Sequence, residues 1–361
     1  MKTNLLNHLN TVIVGDTVEK LRILPDDSMD LIFADPPYNL QLRDELWRPN
    51  HTRVDAVTDH WDKFSSFEEY DEFSRSWLVE CKRVLKKNGS IWVIGSYHNI
   101  FRIGRIMQDL GFWIINDVIW IKTNPMPNFR GTRFTNAHET LIWAVKSEDS
   151  RYTFHYKSMK TFNEGIQMRS DWEIPICSGD ERIRINGEKV HSTQKPEELL
   201  RRVILSTSNP GDVVLDPFMG SGTTGAISKL LGRDYIGIER EEKYVMVANE
   251  RISKVKPLDY ELLLYPEEDK PPRVPFGNLI ASGLVKDGEV LYSKDRRYSA
   301  TVLANATLVS GEIKGSIHSV SAALMGKPNF NGWTFWYVLR NGRMIGIEDL
   351  RKQYISDILH N

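Results

Sequence analysis

The sequence predicts an α/β fold: a parallel sheet with helices on both faces, followed by a small C-terminal α+β module. Three observations lead there. Short apolar runs bounded by turn residues alternate with stretches of helical period. A glycine-rich turn joins one of those runs directly to a helix. A proline- and charge-rich segment, YPEEDKPPRVPFG from Tyr265 to Gly277, then separates this pattern from a shorter, mixed one. The expected division is a body at 1–264, a linker at 265–277 and a module at 278–361.

The expected strands are Leu31–Ala34, Ser90–Ile94, Asp212–Leu215 and Tyr235–Ile238. They are almost wholly apolar, as strands covered on both faces are. Helical stretches run from Phe67 to Lys86, Ile100 to Leu110, Pro196 to Ser208 and Gly222 to Leu231, and their alternation with strands argues for parallel pairing. Asp44 to Asp62 is polar and long enough to be a functional loop. Lys146 to Lys189 is irregular and rich in Arg, Lys and aromatic residues. In the module, the strand Trp333–Leu339, the turn Asn341-Gly342 and the strand Met344–Ile347 form an expected hairpin, with a helix over Glu348–Leu359.

With 361 residues, 41% hydrophobic and 26% charged, the chain can build two ordinary cores. Its net charge of -1 hides an asymmetry. From Pro271 onward, 11 Lys and Arg oppose 7 Asp and Glu, a balance of +4, and the remainder carries -5. A mildly basic module on an acidic body is compatible with a DNA-binding appendage and equally with ordinary surface composition. The two cysteines, Cys81 and Cys177, lie in no motif. They argue for a reducing compartment and against a disulfide scaffold or a zinc site. The N-terminus lacks a signal-peptide core, and no run approaches the roughly 18 apolar residues of a membrane span. The expectation is a cytoplasmic protein with no membrane and no metal.

Two motifs carry chemistry. In DVVLDPFMGSGTTGAISKLLGRDYIGIE, Gly220-x-Gly222-x-x-Gly225 follows a strand and opens a helix, and Glu239 ends the next strand. This fits the dinucleotide fingerprint, with Glu239 placed for a ribose. Two ligands compete for it. A pyrophosphate would gain from the helix N-terminus. S-adenosylmethionine brings an ammonium instead, and Asp216 just before the glycines suits an ammonium and repels a pyrophosphate.

The second motif is Asp35-Pro36-Pro37-Tyr38, directly after a buried strand. Two prolines fix two φ angles and turn the chain at the carboxyl end of the sheet, where open α/β folds bind ligands. Such a corner can activate an exocyclic amine such as adenine N6. The Asp35 carboxylate and the Pro36 carbonyl accept its two hydrogens, and Tyr38 stacks on the base. The nitrogen lone pair then turns toward an incoming methyl group. A polyproline ligand fits poorly at the end of a buried strand.

Together these motifs resemble amino-group DNA methyltransferases. The catalytic corner precedes the glycine loop, an order similar to the circularly permuted β class of N6-adenine enzymes. His191-Ser192-Thr193-Gln194-Lys195-Pro196, Val14-Gly15-Asp16 and Asn136-Ala137-His138-Glu139 resemble further blocks of that class, with Ser192 where the common form has Pro. The whole chain, module included, resembles the cell-cycle-regulated (CcrM-type) enzymes that methylate GANTC in duplex DNA.

The resemblance implies a Rossmann-like methyltransferase sheet, S-adenosyl-L-methionine as cofactor, double-stranded DNA as partner and a homodimer. It implies that Asp216, Phe218, Gly220, Gly222 and Thr223 surround the cofactor and that Glu239 holds its ribose. It also implies that Asp16 meets its adenine amine, and that Thr193 and Lys195 lie near its methionyl carboxylate.

A buried amine requires the base to be flipped out of the duplex, and basic loops are expected to hold the gap. Arg43 and Arg48 follow the catalytic corner, and Lys122, Arg130 and Arg133 cluster in KTNPMPNFRGTRF. In the module, Arg296 and Arg297 precede an aromatic group that includes Trp333, and basic residues among aromatics suit nucleic acid. Methylation of cytosine N4, an RNA or a protein amine, an NAD-dependent oxidoreductase, and a non-catalytic DNA binder are the competing readings. Asp35 rather than Ser tilts the first toward adenine.

Overall fold

The computed structural model describes residues 4–40, 62–128, 131–185, 188–190, 193–263 and 274–359. Arg43, Arg48 and Arg130 lie outside the described residues, as do His191, Ser192 and most of the Asp44–Asp62 loop. The chain divides into two compact units, 1–266 and 267–361.

The first unit holds strands β1 (Thr11–Val14), β2 (Met29–Ala34), β3 (Leu85–Gly95), β4 (Trp113–Lys122), β5 (His138–Val145) and β6 (Asp171–Ile174), the short pair β7 (Arg184–Ile185) and β8 (Glu188–Lys189), then β9 (Val213–Asp216) and β10 (Asp234–Glu239). Eight form one sheet in the order β1-β10-β9-β2-β3-β5-β4-β6. Pairing is parallel from β1 through to β3, and β5 alone runs against the rest. The expected parallel sheet is thus extended by strands that the sequence pattern did not reveal. β4 carries Asn116 and Asp117 in mid-strand, on its register shift against β5, so its alternation is broken.

Helices α1 (Thr17–Ile23), α2 (Phe67–Val84), α3 (Ile100–Asp109), α4 (Tyr156–Phe162), α5 (Glu197–Thr207), α6 (Thr223–Leu230), α7 (Glu242–Ser253) and α8 (Tyr260–Leu263) complete the unit. α2 forms where its caps dictate: Ser66 accepts from the Glu69 N–H, acids fill the first turn and Lys82 and Arg83 the last. Its buried side chains, Tyr70, Ser74, Trp77, Leu78, Cys81 and Val84, form one stripe.

Strand alternation sends Ile32 and Ala34 into a core with Trp77 and Ile103, and Leu31 and Phe33 into another with Trp92, Leu199 and Val203. Trp92 and Trp143 stack at 5.2 Å across β3 and β5. Both cysteines are buried.

The strand order reverses between β9 and β2, where Ile32 pairs with Leu215. Strands on one side of this seam run on through β10 and β1, those on the other through β3. Open sheets bind ligands in the crevice outside the strand ends at such a point, and Asp216 and Asp35 stand at these two strand ends.

The second unit has helices α9 (Phe276–Ala281), α10 (Ile317–Leu324), α11 (Gly332–Phe335) and α12 (Ile347–Leu359) and strands β11 (Val290–Ser293), β12 (Ser299–Val302), β13 (Leu308–Ser310), β14 (Ile313–Gly315), β15 (Trp336–Arg340) and β16 (Arg343–Gly346). Its six strands form an antiparallel sheet ordered β14-β13-β12-β11-β15-β16 over its own core of Leu291, Val302, Trp336 and Val338. Asn341 and Gly342 both have positive φ, 51° and 77°, and close the hairpin with Arg340 opposite Arg343.

One expectation needs correction. Trp333 is not on a strand and is largely buried, so it offers little surface to DNA. Asn331 caps a helical turn by accepting from the Trp333 N–H, which starts β15 three residues late. The Trp333 ring is 9% exposed, packed on Phe276 with Arg351 over it.

No helix of the described residues is long and apolar enough to cross a membrane.

Candidate active site

The carboxyl ends of β2, β9 and β10 open into one cavity of about 560 Å³. Asp35, Pro36, Pro37, Tyr38, Asp16, Thr193, Lys195, Asp216, Phe218, Gly220, Thr223 and Glu239 all line it. Gly222 does not. At φ 80° it opens α6, and a Cβ there would stand 2.8 Å from that of Ala248, so it serves the close approach of α6 to α7.

The glycine turn is built around two acids. Glu239 Oε2 accepts from the Gly220 N–H at 2.8 Å and Oε1 from the Glu241 N–H at 2.9 Å. The amide that a pyrophosphate would need is therefore already donated to a carboxylate. Asp216 is buried and accepts from the Phe218 N–H at 2.9 Å and from the Thr224 hydroxyl. Burial pushes its carboxyl up to about 7 against these hydrogen bonds, and the Asp35 and Glu239 charges add to the rise. Burial likewise raises Glu239, opposed by its backbone donors. A buried acid beside a second, anchored acid fits an ammonium and a ribose diol, the donor set that S-adenosyl-L-methionine requires. Asp16 caps α1 by accepting from the Val18 and Glu19 N–H groups, with the preceding Gly15 donating its N–H to the Glu239 carbonyl.

The corner from Asp35 to Tyr38 is held from outside. The Tyr70 hydroxyl donates to the Pro37 carbonyl at 2.8 Å, and Asn99 donates to Tyr70. Asp62 accepts from the Asn39 and Leu40 N–H groups at 2.7 and 3.2 Å. Within the corner lies a buried charge network. Lys195 Nζ sits 2.6 Å from Asp35 Oδ2 and 4.0 Å from Glu139 Oε2. Tyr38 donates its hydroxyl to Glu139 at 2.8 Å, and Lys122 Nζ lies 2.7 Å from the other Glu139 oxygen. Burial raises Asp35 even with Lys195 opposing it. Burial would also raise Glu139, but Lys195 and Lys122 outweigh it and hold that carboxyl below its usual range. Burial, then Asp35 and Glu139, push the Tyr38 phenol upward.

Two placements depart from the sequence reading. Lys122, expected on DNA, has a side chain only 11% exposed and its ammonium is paired with Glu139 inside the corner. The ion pair with an acid 17 residues away was invisible to a local count of basic residues. Lys195, expected at the methionyl carboxylate, has its ammonium on Asp35 instead. Glu139, Tyr70 and Asp62 were missed as site residues. Only Glu139 lay in a recognised block, Asn136 to Glu139, and nothing local assigned it a partner. Arg133 stays exposed and lies over the Tyr97 ring at 5.7 Å, while Arg296 and Arg297 are exposed on the second unit, Arg297 paired with Asp295.

Comparison with known proteins agrees with this chemistry. Residues 29–250 match the N6/N4 DNA methylase family, and residues 261–359 match the family described as Restriction Enzyme Adenine Methylase Associated. The chain is 52% identical over 357 residues to the Type II methyltransferase M.HinfI of Haemophilus influenzae, covering 99% of both chains. It is 42% identical over 247 residues to the Type II methyltransferase M2.LlaDCHI of Lactococcus lactis subsp. cremoris, covering 68% of this chain and 90% of that one. The solved structure of PvuII DNA methyltransferase (cytosine-N4-specific) shares the fold, with a TM-score of 0.54 at 23% identity over 69% of this chain and 86% of that one. The chain belongs to the N6/N4 DNA methylase family, enzymes that methylate DNA with S-adenosyl-L-methionine as methyl donor.

Proposed function

We propose that this enzyme methylates the N6 amine of an adenine flipped out of duplex DNA, within GANTC, and that it works as a homodimer. One observation carries the chemistry: Asp35 stands half-buried at the strand-order seam, in one cavity with Asp216, and its Oδ1 is buried with no partner among the described residues. An acceptor desolvated and left open awaits a donor, and an exocyclic amine supplies one. Asp35 Oδ1 takes one amine hydrogen and the Pro36 carbonyl the other, while Tyr38, its hydroxyl tied to Glu139, offers its ring to the base. This arrangement favours positive charge growing on the nitrogen. S-adenosyl-L-methionine supplies the methyl group on a sulfonium. Asp35, raised by burial, is also placed to take the proton that the amine sheds.

Adenine rather than cytosine is supported by Asp at the first motif position and by the adenine-methylase association of the family that matches 261–359. GANTC and the dimer rest on the resemblance of the whole chain to the cell-cycle-regulated enzymes. DNA contact by Arg43, Arg48, Arg130, Arg133, Arg296 and Arg297 belongs to the same proposal. The test is to incubate the protein with S-adenosyl-L-methionine and unmethylated duplex DNA and map modified bases by sequencing. N6-methyladenine confined to GANTC is expected. N6-methyladenine elsewhere would remove the GANTC assignment, and N4-methylcytosine would overturn the adenine reading.

A further inference from the structure

Lys195 does two things that the established activity leaves unassigned. Its carbonyl accepts from the Thr223 hydroxyl at 3.4 Å, and Arg251 bridges Thr223 to Glu197. Its backbone is thereby tied to the start of the helix that follows the glycine turn. Its ammonium, with a side chain 7% exposed, crosses to the catalytic corner and binds Asp35 Oδ2.

A buried carboxylate without a counter-charge takes up a proton. A protonated Asp35 would present an O–H to the hydrogens of the target amine, donor against donor. An ammonium on one oxygen opposes this and also fixes the carboxylate plane, so that the second oxygen keeps its aim. Glu139 then balances the added charge: with Lys122 and Lys195 on one side and Asp35 and Glu139 on the other, the formal charges of the cluster cancel.

We propose that Lys195 is a positioning residue of the base pocket, holding Asp35 by Oδ2 so that Oδ1 remains the acceptor for the target amine, with Glu139 as the counter-carboxylate that also anchors Tyr38. The proposal rests on the reading of Asp35 as amine acceptor and holds for an adenine or a cytosine amine alike. The groups acting on Asp35 are Lys195, Glu139 and Tyr38, with Asp216 coupled to it across the seam and Arg182 acting on Lys195. Lys195 lowers the Asp35 carboxyl and Glu139 raises it, so removing each charge shifts the same limb of the pH profile in opposite directions.

The experiment measures single-turnover methyl transfer to unmethylated plasmid DNA across pH, with cofactor affinity measured separately by calorimetry. Lys195→Gln is expected to slow transfer on the order of 10²-fold at neutral pH. Its acid limb should move up by about one pH unit or more, with cofactor Kd changed less than about threefold, as expected for a group that does not touch the cofactor. Glu139→Gln should move the acid limb down, and Lys195→Arg should restore most of the rate. Acid limbs unmoved in both Gln variants would overturn the proposal. So would a cofactor Kd that weakens in step with the rate in Lys195→Gln, which would return Lys195 to the methionyl carboxylate. Asp35→Ala keeps the two readings apart. If it transfers methyl groups at the wild-type rate, the reading of the base pocket fails. If it is inactive while the Lys195→Gln limb stays put, only the positioning role fails.

Discussion

Asp216 is poised to make cofactor binding pH-dependent. With its carboxyl near 7 in the cofactor-free protein, it is protonated below that pH and ionised above it. An ammonium ligand needs the ionised form. Affinity for S-adenosyl-L-methionine, measured by calorimetry, should therefore rise up to about tenfold per unit as pH approaches 7 and flatten before the ligand's own ammonium begins to lose its proton at about 8. Asp216→Asn should flatten the profile. The stability sign is opposite. A carboxyl raised in the folded state stabilises the cofactor-free protein fully at pH below the ordinary carboxylate value, and that contribution is lost as pH rises through about 7. At this scale the sequence exposed Asp35 to Tyr38, Asp216 and Glu239 because each sits in a contiguous motif at a strand end. It hid Glu139 because the Tyr38 contact spans 101 residues, and no local pattern tells which acid will face which phenol.

Among the elements, α2 links core packing to the cofactor side of the cavity. Trp77 is fully buried, and its ring meets Phe218 of the glycine turn edge-on at 5.3 Å. Trp77→Ala should cost about 3–5 kcal/mol in denaturant unfolding and also weaken cofactor binding, since Phe218 loses its support. Wild-type cofactor affinity in that variant would separate the core from the site. α2, α3, α5 and α6 were legible because periodicity and termini agreed. β4 was not, since Asn116 and Asp117 interrupt an otherwise apolar run, and β5 opens on the polar His138, Glu139 and Thr140. The Trp333 error has the same cause in reverse: alternation favours a strand, but the Asn331 cap sets the local backbone first.

For the whole molecule, each unit has its own hydrophobic core. The relative M2.LlaDCHI is matched over 90% of its length by 247 residues of this chain, which leaves it little room for a second unit. Removing 267–361 should thus leave a folded protein whose cofactor Kd stays within about threefold of the full chain, while DNA affinity in a fluorescence-anisotropy titration falls. Undiminished DNA affinity would sink the role of the module. The proline cluster made the division legible, because a run of prolines and charges offers little to a hydrophobic core, and the boundary between the two units falls within that run. The last residues of the expected linker did enter one: Val274 and Phe276 pack in the second core, apolar side chains that the surrounding prolines and charges masked.

The two buried thiols have a practical consequence. Burial pushes Cys177 up to about 11 and Cys81 higher still, so neither offers thiolate to an alkylating reagent at neutral pH. Phe134, 97% exposed on the turn between β4 and β5, could be exchanged for a cysteine that reacts well ahead of both. A fluorophore attached there would report on that turn as duplex DNA arrives, without first stripping the chain of its native sulfhydryls.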